Sequence, residues 1–134
     1  MGDMKHILLA TDGSTGARHA FHSAVALAVA LKGRLTLLTV VEHSAISQEE
    51  QSEPHDLAGD CEEFRRQALE AGIRQVKVVV ESGLAYSRIL NAASRECADL
   101  IVIGARGLGG HDSPLGDTVT QVAKFATCPI LIVR

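Results

Sequence analysis

The 134-residue sequence predicts an α/β fold: one domain over residues 1–134, built on an open five-stranded parallel sheet of strand order 3-2-1-4-5 with helices on both faces. Three observations predict it. Its short apolar runs are continuous rather than alternating, which suits strands covered on both faces. Segments of helical periodicity separate each run from the next, so strands and helices alternate and the strands run parallel. Right-handed crossovers with helices on both sides then leave few strand orders, and 3-2-1-4-5 is the natural one.

Ile7-Leu8-Leu9-Ala10 is the first strand, ending in Thr11-Asp12-Gly13-Ser14. Ala17, Ala20, Phe21, Ala24, Val25, Ala28 and Leu31 fall at helical spacing, and Gly33 stops that helix. Residues 35–41 form the second strand. From Glu42 to about Pro54 the chain is polar without periodicity and reads as a long mobile loop. Leu57, Cys61, Phe64, Ala68 and Ala71 mark the second helix, ended by Gly72, and residues 76–80 the third strand. Tyr86, Ile89, Leu90, Ala93 and Cys97 stripe the third helix. Residues 99–103 form the fourth strand, and a glycine-rich stretch follows it. A short helix from about Thr118 to Ala126 carries Val119, Val122, Ala123 and Ala126, and residues 129–133 close the chain as the fifth strand.

In this order the first and fourth strands are neighbours, and the chain reverses direction between them. The crevice at their carboxyl ends is where such sheets take ligands. Two stretches far apart in sequence open there: Thr11-Asp12-Gly13-Ser14, and the glycine stretch from Gly104 through Arg106 and Gly107 to Gly116. Glycines permit positive φ and let backbone N–H groups approach a ligand with no Cβ in the way. The amides and dipole of the following helix N-terminus favour an anion, and Arg106 adds a charged donor. A phosphate site is the reading this convergence supports; a long surface turn is the plain alternative. Asp12 is likewise either a functional carboxylate or a turn residue capping the first helix.

Composition excludes several classes. A net charge of -3, with three Phe, one Tyr and no Trp, supplies neither the basic surface nor the stacking platforms that nucleic acid needs. No apolar run approaches the roughly 20 residues of a membrane span, so no membrane partner is expected. The start Met1-Gly2-Asp3-Met4-Lys5-His6 has no signal-peptide pattern, and a cytoplasmic protein is the plain inference. Cys61, Cys97 and Cys128, without a C-x-x-C pair, read as small buried or half-buried hydrophobes. His19 and His22 could share a helix face, but without a third ligand a solvated face is the better reading than a metal site. No lysine P-loop follows the glycines, no dinucleotide fingerprint follows the first strand, and no nucleophile elbow is recognisable. The third strand ends in Val80-Glu81 rather than in a phosphoacceptor aspartate. No catalytic residue is assigned.

These residues resemble the universal stress protein family. The resemblance covers essentially the whole chain: the strand ending in Thr11-Asp12-Gly13-Ser14, the strand ending in Val40, the run Ile101-Val102-Ile103-Gly104-Ala105-Arg106-Gly107, and the closing Cys128-Pro129-Ile130-Leu131-Ile132-Val133. One branch of that family binds ATP, with the signature Gly-x-x-Gly, nine residues, then Gly-Ser or Gly-Thr. The resemblance implies ATP or another adenine nucleotide as cofactor, with or without magnesium. It implies Asp12 as the ribose ligand and Ala10, Thr11, Val40 and Ile103 as the adenine walls. Gly104, Arg106, Gly107 and Gly116 would lie along the phosphates.

The signature departs in two places. Eight residues separate Gly107 from Gly116, and Asp117 follows Gly116 where the pattern has a hydroxyl. Counting back from Pro129 puts Asp117 at the hydroxyl position, whereas counting forward from Gly107 puts Thr118 there. A carboxylate accepts and repels where a hydroxyl donates. Asp117 is also a good N-cap, whose carboxylate would compete with a phosphate for the helix amides. Two like charges about 4 Å apart at an effective dielectric near 20 oppose each other by roughly 4 kcal/mol before screening. That disfavours a triphosphate, while a shorter nucleotide or a cation bridge stays tolerable. A nucleotide-binding stress or signalling module acting on an unknown protein partner is the leading reading. A dimeric interaction protein that binds no nucleotide, and a weak ATP hydrolase, are the alternatives.

The fifth strand is an edge in this order, and Ile130-Leu131-Ile132-Val133 is wholly apolar. Pro129 guards only its first residue, and Arg134 comes at its end. A bare edge of this kind templates aggregation, so pairing with the same strand of a second copy about a two-fold axis is expected.

Overall fold

Strands and helices alternate along the chain in the computed structural model, which describes residues 5–11, 15–41, 57–105 and 116–134. The order is β1 His6–Thr11, α1 Thr15–Leu31, β2 Arg34–Val41, α2 Leu57–Glu70, β3 Val76–Ser82, α3 Ala85–Arg95, β4 Leu100–Gly104, α4 Asp117–Phe125 and β5 Ile130–Val133. All strand pairs are parallel and the sheet runs β3-β2-β1-β4-β5, as expected. The long loop expected over residues 42–54 lies outside the described residues. Among the described residues no helix is long and apolar enough to cross a membrane.

Burial follows position in the sheet. Every residue of β1 and β4 is buried, whereas the edge strand β3 is partly exposed and β5 is half-buried throughout. Successive side chains point to opposite faces of a strand, so the sheet divides the apolar interior in two. Ile7, Leu9, Leu35, Leu37 and Val102 pack under α1 and α2. Leu8, Ala10, Leu38, Val40, Ile101 and Ile103 pack under α3 and α4. That division is what right-handed crossovers require when the chain first moves outward from β1 and then returns to β4. On α1 the small residues Ala20, Ala24 and Ala28 lie against the sheet, and Phe21 stacks on Phe64 of α2 at 4.4 Å between ring centroids.

The helix ends explain several residues. At the end of α1 the Lys32 N–H donates to the Val29 carbonyl and the Gly33 N–H to the Ala28 carbonyl, at 3.2 and 2.9 Å. The left-handed residue of this Schellman end is Lys32, with φ of 55°. Gly33 is needed for another reason: a Cβ there would stand 2.5 Å from the Lys5 carbonyl oxygen. In α2 the left-handed position is Gly72, with φ of 111°, and the buried Ile73 follows it. In α3 it is Cys97, with φ of 56°. Cys97 is therefore exposed, correcting the expectation of a buried hydrophobe, because α3 has already ended at Arg95. Cys61 is buried and Cys128 half-buried.

The amino-terminal ends of the central strands are tied by side chains. The Asp99 carboxylate accepts the backbone N–H groups of Lys5 and His6 at 3.1 and 2.9 Å. His6 is 4% exposed, with Nδ1 2.8 Å from the Glu96 carbonyl and Nε2 2.7 Å from the Thr36 hydroxyl. A carbonyl only accepts, so Nδ1 carries the proton and the Thr36 hydroxyl donates to Nε2. Burial, then the nearby Arg34 charge, lowers the His6 pKa from its ordinary 6.5.

Candidate functional site

β1 and β4 lie side by side at the centre of the sheet, and the crevice beyond their carboxyl ends is the switch point of the topology. Ala10 pairs in register with Ile103 on one side and with Leu38 on the other, and Thr11 pairs with Thr39. Ala10, Thr11, Val40 and Ile103 are all buried. Ala10, Val40 and Ile103 share the face covered by α3 and α4, whereas Thr11, next along β1, points to the opposite face by strand alternation. Thus three of the four expected wall residues come together on one side.

Gly104 ends β4 opposite Val133 of β5. The next residue, Ala105, is 2% exposed and joins three segments. Its N–H donates to the Val133 carbonyl at 2.7 Å, and its carbonyl accepts the Gly116 N–H at 2.8 Å. The two ends of the glycine stretch are thereby clasped together directly above the sheet. Nothing in the sequence marks Ala105 except its place at the end of a strand.

The clasp also sets where α4 begins. Gly116, buried and held by Ala105, has φ of -69° and ψ of 163° and is itself the N-cap. Positive φ is therefore not what this glycine contributes. Asp117 is the first helical residue and exposed, correcting the expectation that it caps the helix. The physical reason is that helical geometry starts one residue after the clasp. Thr118 follows, half-buried. Among the described residues no side chain caps the first turn; Thr120 bonds the Gly116 carbonyl with its N–H and its hydroxyl, both at 3.0 Å, and so occupies an acceptor rather than the amides. The positive end of the helix dipole lies at this start of α4.

Asp12, Arg106 and Gly107, which complete the expected constellation, lie outside the described residues. His19 and His22 are both exposed on α1. Among the described residues no group of three His, Cys, Asp or Glu side chains is arranged to hold a metal. The arrangement sets apolar strand ends beside the start of a helix. Such a site is suited to holding a flat apolar body attached to an anion.

A profile of the universal stress protein family matches residues 4–134. A Staphylococcus aureus (strain USA300) protein that carries the universal stress protein name is 30% identical over 139 residues, covering 97% of this chain and 84% of its own length. Among solved structures, universal stress protein UspA from Lactobacillus plantarum matches with a TM-score of 0.81 at 28% identity, covering 100% of both chains. A universal stress protein solved in complex with cAMP shares the fold, with a TM-score of 0.77 at 23% identity over 99% of each chain. With its sheet order, its clasped glycine stretch and these matches, the chain belongs to the universal stress protein family.

Proposed function

We propose that this chain binds an adenine nucleotide at the carboxyl ends of β1 and β4 and acts, in its loaded or empty state, as a stress or signalling module. One observation carries the reading. Ala10, Val40 and Ile103 stand together on one face beside the start of α4, whose first-turn amides have no side-chain cap among the described residues. Apolar side chains suit a planar base, and the amides at the positive end of a helix suit a phosphate. Family membership supports the same reading, and the cAMP complex is a precedent within the fold.

Asp117 grades the ligand. Its exposed carboxylate stands in the first turn of α4, where a phosphate chain would run. Charge repulsion favours a nucleotide with one phosphate over ATP, and magnesium between Asp117 and the phosphates would narrow the difference. Native mass spectrometry of the purified protein, followed by calorimetric titration with AMP, ADP and ATP, tests the proposal. An empty protein that gives no heat with any of the three would refute it.

A homodimer through β5 is the assembly we propose with this function. All four β5 residues are apolar and half-buried at a sheet edge, and Phe125, just before that strand, is 54% exposed. An edge and an apolar flank of this kind suit a second copy of the chain.

A further inference from the structure

We propose a second binding site at the opposite, amino-terminal end of the sheet, which takes a small phosphate-bearing molecule between Arg34 and Arg74. Two adjoining cavities of about 350 and 360 Å³ open where the strands begin, and they share His6, Arg34, Arg74 and Gln75. Each is of a size that holds a small ligand. Together they are lined by Lys5, Lys32, Arg34, Arg65, Arg74 and Lys77. A chain of net charge -3 has thus gathered six of its 13 Lys and Arg residues at one pole.

The carboxylates lining the cavities are already engaged. Glu96 pairs with Lys77 at 2.8 Å and with Arg95 at 3.5 Å, and Asp99 accepts two backbone N–H groups. Arg65 reaches Glu62 only at 3.8 Å. Among the described residues, Arg34 and Arg74 have no carboxylate partner within ion-pair distance.

Helix dipoles account for this charge only in part. Strands of this fold begin near helix carboxyl ends, where cations are favoured, but that effect fades beyond the last turn. The last turns of α1 and α2 contain no basic residue, and Lys32, Arg34 and Arg74 all come after them. The backbone holds these segments side by side. The Arg34 N–H donates to the Lys5 carbonyl at 2.7 Å and the Leu35 N–H to the Gln75 carbonyl at 3.0 Å. Gly33 allows the first of these approaches, since any Cβ would collide with Lys5. Two guanidinium forks at the wall shared by both cavities match the geometry of phosphate oxygens, which such forks bind bidentately.

The test uses the full-length protein and inorganic tripolyphosphate at matched ionic strength, with calorimetry as one readout. Cys97, exposed and lining one of the cavities, provides the other through its alkylation rate. Tripolyphosphate should bind and slow Cys97 alkylation. Arg34→Gln and Arg74→Gln should each weaken binding by about tenfold, the loss of one charge-assisted pair. Arg66→Gln, on the outer face of α2, should bind as the parent does. Absence of binding at matched ionic strength would overturn the proposal, as would equal affinity in the Arg34 and Arg74 variants. Displacement of tripolyphosphate by AMP, with its affinity unchanged in the Arg34 and Arg74 variants, would assign it to the switch point instead, and would overturn the second site while leaving the nucleotide site standing.

Discussion

His6→Ala removes a buried ring that ties β1 to β2 and to the end of α3. The substitution leaves the Thr36 hydroxyl, on a residue 2% exposed, and the Glu96 carbonyl without their partners. Stranding a buried polar group costs about 1–3 kcal/mol each, and the vacated volume adds to that. A loss of about 3–5 kcal/mol is expected near pH 8. The pH dependence separates this role from mere packing. Because the folded pKa of His6 is lowered from 6.5, its stabilisation is complete above the unfolded value. As pH falls below that value the unfolded chain takes a proton that the folded chain refuses, so stability drops until the folded pKa is reached. The slope is at most about 1.4 kcal/mol per pH unit. Glu63 and Glu96 have pKa values lowered from 4.5, so their own contributions fade only below that value and do not overlap this window. Urea unfolding followed by circular dichroism, from about pH 8 to about pH 5.5, gives the two stability curves. The gap between parent and variant should narrow as pH falls. A gap that stays constant would refute the neutral, hydrogen-bonded His6.

Asp12→Ala should weaken adenine nucleotide binding by about tenfold, or about 1.4 kcal/mol, if its carboxylate accepts the ribose hydroxyls; equal affinities by calorimetry would remove it from the site. Asp117→Ser should strengthen ATP binding more than AMP binding. Titration with and without magnesium distinguishes relief of repulsion, which raises ATP affinity in both, from loss of a bridging cation, which lowers it only with the metal. Leu131→Lys should give a monomer or an insoluble product, whereas Glu63→Lys on exposed α2 should leave light scattering unchanged; a monomeric parent protein would sink the β5 dimer. Cys97→Gly should raise stability by about 1 kcal/mol, since a left-handed residue loses its Cβ strain, and an unchanged unfolding midpoint would count against that geometry.

The strand order was legible in the sequence because alternating elements and fixed crossover handedness leave little choice. The central strands announced themselves as unbroken apolar runs, and β1 and β4 are buried throughout. Helix faces were read less well. Leu31 and Ala123, assigned to apolar stripes, are exposed, and the buried residues of α3 are Ala85, Ile89 and Ala92 rather than the larger Tyr86 and Leu90. Alanine carries too little apolar surface to mark a face by periodicity alone. Of the candidate site, the burial of Ala10, Val40 and Ile103 was legible because they stand at the ends of buried strands. The start of α4 was not, since it is set by the bond from Gly116 to Ala105, far back in the chain. The same holds for Asp99 and His6, whose contact spans 93 residues. No local pattern reports such a contact. Gly33 was read as a helix stop, yet its requirement comes from Lys5, on a neighbouring strand start.

The bond between Ala105 and Gly116 also bears on how this protein can change over generations. A segment whose two ends are pinned to each other is insulated from its surroundings: a residue gained or lost between them need not shift β4 or α4. Shortening such a span from nine residues to eight alters its closure entropy by only about 0.1 kcal/mol. A stretch of eight residues between Gly107 and Gly116, where the resembled signature has nine, need not disturb β4 or α4. Insertions, deletions and exchanged sequences between those anchors should alter ligand preference while leaving folding intact. The two anchors let the stretch between them be exchanged without touching the scaffold.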